Sequence, residues 1–369
     1  MAPQTNFDLE AYLTESVEWA LKSMLKAALF HPRESAFMAK YALASRTAAQ
    51  RRHQLEEEGE HIPAFLIASI TSLCNLHCVG CYARSVESCV DEVPEDQLSG
   101  EEWGRVFREA RDAGVSFIFL AGGEPMVRRD VIAQAAQVPE NLFPVITNGT
   151  LFQDEMLRLF DEHRNLIPLL SIEGGRAVTD ARRGSGMYRK LREVMTELNR
   201  RGIAFGASIT VTNQNLEEVT SDAFLEDLNG IGCKAVLYVE FVPTSDDVRP
   251  LTLNDDQRDW LAQRMEDIRS VRRDMVLLSF PGDEAASGGC LAAGRGFFHI
   301  NSHGGAEPCP FSPYFDSSLR TMSLREALNS PLFRALRTDG ILTEHHDGGC
   351  VLFDQAERVR SLMEQAQEA

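Results

Sequence analysis

Phe65-Leu66-Ile67-Ala68-Ser69-Ile70-Thr71 runs, two residues later, into Cys74-Asn75-Leu76-His77-Cys78-Val79-Gly80-Cys81, an apolar stretch that breaks into three cysteines spaced C-x3-C-x2-C. The apolar stretch is short, partly β-branched and bounded by Pro63 on one side and by a Ser/Cys/Asn cluster on the other, so it reads as a buried strand. The thiols therefore lie on a loop at the C-terminal end of a strand, where α/β sheets keep their chemistry. Three cysteines packed so closely, in a chain that opens without a basic-then-apolar leader, read as thiolate ligands in a reducing compartment and not as a disulfide framework. A structural zinc site or a fully ligated iron–sulfur cluster takes four protein ligands, and here the local count is three. On a [4Fe–4S] cube that leaves one iron open to a small molecule.

The rest of the composition sets limits. At 369 residues the chain is long enough for one large domain and a small one. Apolar content of 44% and charged content of 25% are those of an ordinary globular protein. No run approaches the roughly 18–20 apolar residues that span a bilayer, which predicts a cytoplasmic protein. A formal net charge of -18 repels phosphate and argues against a nucleic-acid surface. Residues 1 to about 58 are helical by pattern. Leu13, Val17, Leu21, Met24, Leu25, Ala28 and Leu29 share one face up to Pro32, and a second helix runs from Glu34 into the 50s. Residues 1–55, with seven Lys/Arg and five Asp/Glu, are slightly basic while the remainder is strongly acidic, so two roles stand side by side: a helical pair packed over the main domain, or a peripheral contact with a membrane or partner.

From Pro63 to about Thr244 strands and helices alternate. After Phe65–Thr71 the expected strands are Val115–Leu120, Leu142–Thr147, Leu166–Ile172, Ile203–Val211 and Ala235–Val242. Helices are expected near Gly100–Ala113, from Asp130, from Asp154, near Met187–Arg201 and from Leu216. Short loops and strict alternation predict a parallel α/β sheet of right-handed crossovers. Six units are too few for a closed eight-stranded barrel, and the pattern alone leaves a doubly wound open sheet equally open. A helix follows the start signal Thr252-Leu253-Asn254-Asp255, then a strand Met275–Phe280 ends at Pro281-Gly282-Asp283-Glu284. Beyond it, Phe297–Ile300 and Asn301–Pro310 read as a strand and a hairpin that carries Cys309.

The cysteine spacing after the first strand resembles the signature of the radical S-adenosylmethionine (radical SAM) superfamily. The resemblance implies that Cys74, Cys78 and Cys81 hold a [4Fe–4S] cluster whose open iron is chelated by SAM, in a partial, open (β/α)6 TIM-like barrel. The residue before the third cysteine, often aromatic in that family, is Gly80 here, and an aromatic ring, Tyr82, follows instead. Gly122-Gly123-Glu124-Pro125, one βα unit later, resembles the family's GGEP motif, which receives the SAM amino group. Ser171-Ile172-Glu173-Gly174 resembles its ribose-contacting S-x-[DE]-G segment. Asp180-Ala181-Arg182-Arg183-Gly184 resembles a D-x-x-R-G stretch that places Arg183 near the SAM carboxylate, against the alternative of a solvated basic turn. Thr147-Asn148-Gly149 reads as a turn with Asn148 as a possible polar contact, and the hydroxyls of Ser208 and Thr210 alternate toward one face of their strand. Glu240, a charge in an apolar strand, is either paired or a substrate contact.

Cys290, Gly304 and Cys309 form C-x13-G-x4-C, which resembles the opening of the SPASM auxiliary-cluster domain. Only Cys350 follows, so the match is to the shortened "twitch" form, with Cys290, Cys309 and Cys350 as three ligands of an auxiliary [4Fe–4S] cluster and the fourth unassigned. Cys233 reads as core, and Cys89 as a bystander or a further ligand. His299, His303, His345 and His346 are further candidates for iron. The domains expected are an N-terminal helical extension over 1–60, the barrel over 61–250, a linker helix and strand over 251–285, the auxiliary domain over 286–352 and a C-terminal helix over 353–369.

The resemblance implies an oxidoreductase-type enzyme that cleaves SAM reductively to a 5′-deoxyadenosyl radical. That radical abstracts a hydrogen and oxidises or cross-links a peptide or small-molecule substrate with help from the auxiliary cluster. It also implies an external electron donor such as flavodoxin or ferredoxin. Two rivals stand beside it: a radical SAM enzyme joining carbon centres on a lipid at a membrane surface, and a non-catalytic iron–sulfur or zinc protein. The second rival leaves the Gly-Gly-Glu-Pro loop and the open ligand count unexplained.

Overall fold

A computed structural model describes residues 32–243, 246–272, 274–280, 288–344 and 350–368. The helix expected over Leu13–Leu29, the end of the seventh expected strand at Pro281–Glu284, and His345 and His346 lie outside the described residues.

Helix α1 (Pro32–Glu57) leads to strand β1 (Phe65–Thr71), then α2 (Tyr82–Ser85) and α3 (Gly100–Ala113). Next come β2 (Phe117–Gly122), α4 (Arg129–Ala136), β3 (Phe143–Thr147), α5 (Asp154–Glu162), β4 (Leu166–Ser171), α6 (Arg176–Arg183) and α7 (Met187–Arg200). The series closes with β5 (Gly206–Val211), the short α8 (Leu216–Val219), α9 (Asp222–Gly230), β6 (Ala235–Glu240), α10 (Asp255–Val271) and β7 (Val276–Phe280). Local signals account for several boundaries. Ser99 and Glu102 form a reciprocal capping box that starts α3, and Gly114 ends it in the left-handed region. Asn254 and Gln257 do the same for α10, where the sequence placed its start signal.

The sheet order is β7-β6-β5-β4-β3-β2-β1-β8-β9, where β8 is His299–Ile300 and β9 is Ala306–Glu307. Neighbours from β7 to β8 are all parallel, and β8–β9 is an antiparallel hairpin. The result is a partial, open barrel, but not one of six strands. Val276–Phe280 adds a seventh parallel strand beside β6, because its apolar residues can be covered only by continuing the sheet. At the other edge β8 pairs with β1, Ile67 facing His299, so the cysteine-rich C-terminal region extends the sheet that carries the first cysteine loop.

Among the described residues the two edge strands, β7 and β9, are not paired with each other. Three rings span the gap: Phe297, fully buried, lies 5.1 Å from Phe65 of β1 and 5.5 Å from Phe280 of β7, centroid to centroid. At the N-terminal ends of the strands, α1 closes the barrel. Its Met38 and Tyr41 pack with Leu142, Ile167 and Leu169, the Tyr41 hydroxyl donates to the Ser116 carbonyl at 2.7 Å, and Glu34 accepts from the Ala204 N–H at 3.0 Å. Among the described residues no helix is long and apolar enough to cross a membrane. With the bottom plugged by α1, the interior is open toward the opposite end, where the strands finish.

Candidate functional site

A cavity of about 740 Å³ runs from the C-terminal ends of the strands down into the barrel, as far as Phe65 and Phe117 at the strand starts. Its upper wall holds Cys74, Cys78 and Cys81 together with Gly122, Gly123, Glu124, Ser171 and Arg183. Its lower wall is apolar, with Phe65, Phe117, Phe119, Leu237 and Phe280. Ser208, Thr210 and Asn148 also line it. Pro125 is buried and opens a single 3-10 turn that carries the chain away from the cavity.

The cysteine loop is held by groups from four elements. Arg84 of α2 donates to the carbonyls of Cys74 at 3.2 Å and Leu76 at 2.8 Å, and pairs with Asp91. The segment around Val90 runs alongside, with Val90 N–H bonded to Ser72 O and Cys74 N–H to Val90 O. Asn75 accepts from Asn148 at 2.9 Å and donates to Thr150 at 2.8 Å, so the turn after β3 does more than reverse the chain. From α6, Arg182 closes a two-way bond with Val79: Val79 N–H to Arg182 O at 2.9 Å and Arg182 Nε to Val79 O at 3.2 Å.

Gly122 and Gly123 are explained by this packing. The Gly123 N–H donates to Thr71 O and the Glu124 N–H to Leu73 O, both at 2.8 Å. A Cβ at Gly122 would lie 2.2 Å from Thr71 O, and one at Gly123 2.2 Å from Leu73 O. The two glycines let the second loop lie directly against the backbone that leads into Cys74. Glu124 fastens a third loop to the first two. Its carboxylate accepts from Met126 N–H at 3.1 Å, the Thr147 hydroxyl at 2.7 Å and Asn148 N–H at 2.8 Å. Burial pushes its pKa up to about 7 despite those bonds.

Glu173, expected at a ribose, is instead fully buried and used by the protein. One oxygen accepts from Arg182 at 2.6 Å and from Arg183 at 2.7 Å, and the other from Thr210 N–H at 3.1 Å. The reason is helix α6, which the sequence did not reveal: it carries both arginines back over the end of β4. Arg183 in turn reaches Cys78, with 3.9 Å between Nη1 and Sγ. Glu240 is paired with Arg258 of α10 at 2.5 Å, and also lines the cavity.

The donor set fits the cluster that the spacing implies. Cys74, Cys78 and Cys81 are half-buried on one wall, Cys78 close enough to both others to feel their charge, and burial raises its thiol. Cys89 is buried with its thiol hydrogen-bonded to Cys74, and that bond brings the Cys74 pKa down to about 6. The second trio also assembles. Cys309 hydrogen-bonds to Cys350 and lies beside Cys290, all three buried. Among the described residues no three His, Cys, Asp or Glu side chains are set to hold a single metal ion, so neither trio has the tight convergence of a structural zinc. Cys233 sits in the core, as its apolar strand predicted. His299 is engaged at both nitrogens, by Ser69 at 2.7 Å and Glu307 at 2.6 Å. His303 meets the Asp96 carbonyl at 3.0 Å.

The radical SAM superfamily model matches residues 68–225, which carry the cysteine loop, the Gly122–Glu124 loop and the Glu173–Arg183 pair. The chain carries a radical SAM domain and is an enzyme. A [4Fe–4S] cluster and SAM are therefore its cofactors. The AdoMet-dependent heme synthase of Methanosarcina barkeri is 28% identical over 306 residues, which are 74% of this enzyme and 85% of that protein. The mycofactocin maturase MftC of Mycobacterium ulcerans is 27% identical over 312 residues, 79% of this chain and 81% of its own. Streptococcus suis SuiB, in its crystal structure with S-adenosylmethionine, superposes with a TM-score of 0.65 at 16% identity, covering 82% of this chain and 76% of that one. That likeness concerns the fold of the radical SAM enzyme.

Proposed function

We propose that this enzyme oxidises or cross-links a peptide or small-molecule substrate, with SAM bound at Cys74, Cys78 and Cys81 and a second [4Fe–4S] cluster held by Cys290, Cys309 and Cys350. The observation that supports the proposal is one apolar cavity lined both by the first trio and by residues adjacent in sequence to Cys290 and Cys309. The first trio lines it, and Leu291, Pro310 and Phe311, neighbours of Cys290 and Cys309, form the facing wall. When bound, the cluster and SAM supply a one-electron cleavage that generates a hydrogen-abstracting carbon radical. The chain's own residues then have the tasks of binding, alignment and exclusion of water. Glu124 has about four lone-pair positions, of which three are occupied, leaving one for the SAM amino group. Arg183 offers its charge to the SAM carboxylate, and Ser171 lies on the same wall. The phenyl walls below exclude water from the abstraction site and accept an apolar part of the substrate.

In this division residues 61–250 handle SAM and 286–352 the second cluster. The reducing electron comes from an external donor such as flavodoxin or ferredoxin, in the cytoplasm. The precursor peptide SuiA bound to SuiB in another of its crystal structures favours a peptide substrate. A tetrapyrrole is the second reading, favoured by the extent of the match to the heme synthase.

Anaerobically prepared protein should contain about eight iron and eight sulfide per chain, as two cubes require. Reduced protein should convert SAM to 5′-deoxyadenosine. Cys78→Ala should abolish that conversion, whereas Cys309→Ala should keep it and lose about four irons. A count of about four in the parent protein defeats the two-cluster assignment, and heme formation from an iron-porphyrin precursor selects the tetrapyrrole.

A further inference from the structure

The two cysteine trios come from opposite ends of the sequence, yet the residues beside them touch. Tyr82 directly follows Cys81, and Phe311 is separated from Cys309 only by Pro310. Their rings meet edge to face, with centroids 4.9 Å apart and planes at 61°. Phe311 is buried at 8% exposure, Cys309 at 2%. The Tyr82 hydroxyl, pushed up first by burial and then by the charge of Cys81 and Cys309, stays protonated. From Cys81 to Cys309 the chain therefore offers covalent bonds at both ends and a single ring-to-ring contact between them. Electron transfer weakens far more slowly along bonded and tightly packed atoms than across a gap. Both rings also line the cavity, so the route passes beside the place where substrate would react.

We infer that the Tyr82–Phe311 ring pair is the electron path between the two cluster sites. The inference rests on the two-cluster reading above. In the step concerned, the auxiliary cluster is oxidised by one electron and the SAM-site cluster is reduced by one; no bond forms or breaks and no proton moves. An electron taken up at Cys290, Cys309 and Cys350 is thereby returned to the site where SAM is cleaved. Tyr82 and Phe311 act as positioning residues and touch the clusters only through Cys81 and Cys309. The aromatic ring is the working part, not the hydroxyl.

The test uses the full-length holoprotein without substrate, reduced by one electron per chain with a photoexcited deazaflavin. Redistribution of that electron between the two clusters is followed by rapid-freeze electron paramagnetic resonance. Tyr82→Phe should leave the rate unchanged, while Tyr82→Leu and Phe311→Leu should slow it severalfold with iron content and both midpoint potentials retained. A wall without an electron-transfer role would move none of these rates. Rates in both leucine variants equal to the parent's overturn the inference, as does a slowing in Tyr82→Phe as large as that in Tyr82→Leu. Should Tyr82→Leu bind less iron, Phe311→Leu carries the test. About four irons in the parent protein overturn the two-cluster reading itself; about eight with unaltered rates overturn only the ring path.

Discussion

A methyl group at position 123 would meet the Leu73 carbonyl at 2.2 Å, a distance that no backbone tolerates. Gly123→Ala should therefore push the second loop off the first, at a cost of about 1–3 kcal/mol. Because Leu73 adjoins Cys74, the loss should also appear as lowered iron at the SAM-site cluster, measured as iron per chain after anaerobic purification. Glu124 gives a pH prediction. Its pKa near 7 means that a sizeable share of the sites hold a proton at neutral pH. The SAM amino group donates to the carboxylate form, so binding should release protons, and affinity should fall as pH drops below about 7. Calorimetric titration of holoprotein in buffers of different ionisation enthalpy reads that release directly, and Glu124→Gln should diminish it.

Among the elements, α6 deserves the clearest test. Glu173 is a fully buried carboxylate facing two arginines, and removing it strands both positive charges. Glu173→Ala should destabilise the fold by about 3–5 kcal/mol, read as a lowered denaturant midpoint under anaerobic conditions. Nothing local announced this clamp. Arg182 and Val79 are 103 positions apart in sequence, and a helix of eight residues with two arginines at its end reads as a surface turn. The parallel strands were legible because each is a continuous apolar run between turn residues, and Ser99 and Asn254 declared their helices by capping chemistry. The cysteine trios were legible because the metal chemistry requires thiols at short spacing. What spacing could not reveal was the partner of each polar group: Glu173 with its arginines, Cys89 against Cys74, and the glycines packed on backbone. The seventh strand was readable in itself, but its membership in the sheet depended on what lay beside it in space.

For the whole molecule, the net charge of -18 bears on how the electron arrives. A donor protein that is itself acidic is repelled over a range set by the ionic atmosphere, about 30 Å at 0.01 M salt and about 10 Å at 0.1 M. Reduction by such a donor should accelerate as salt rises over that range, while reduction by a small neutral mediator should stay flat, both followed by stopped-flow absorbance.

The incomplete barrel adds a consequence of its own. Along most of its circumference the strands are laced by backbone hydrogen bonds, but between β7 and β8 the two margins are joined through the side chains of Phe280, Phe297 and Phe65. Rings can slide apart without unzipping a single ladder. Parting that flank would cost apolar packing and no strand ladder among the described residues, so it is where the barrel would yield first.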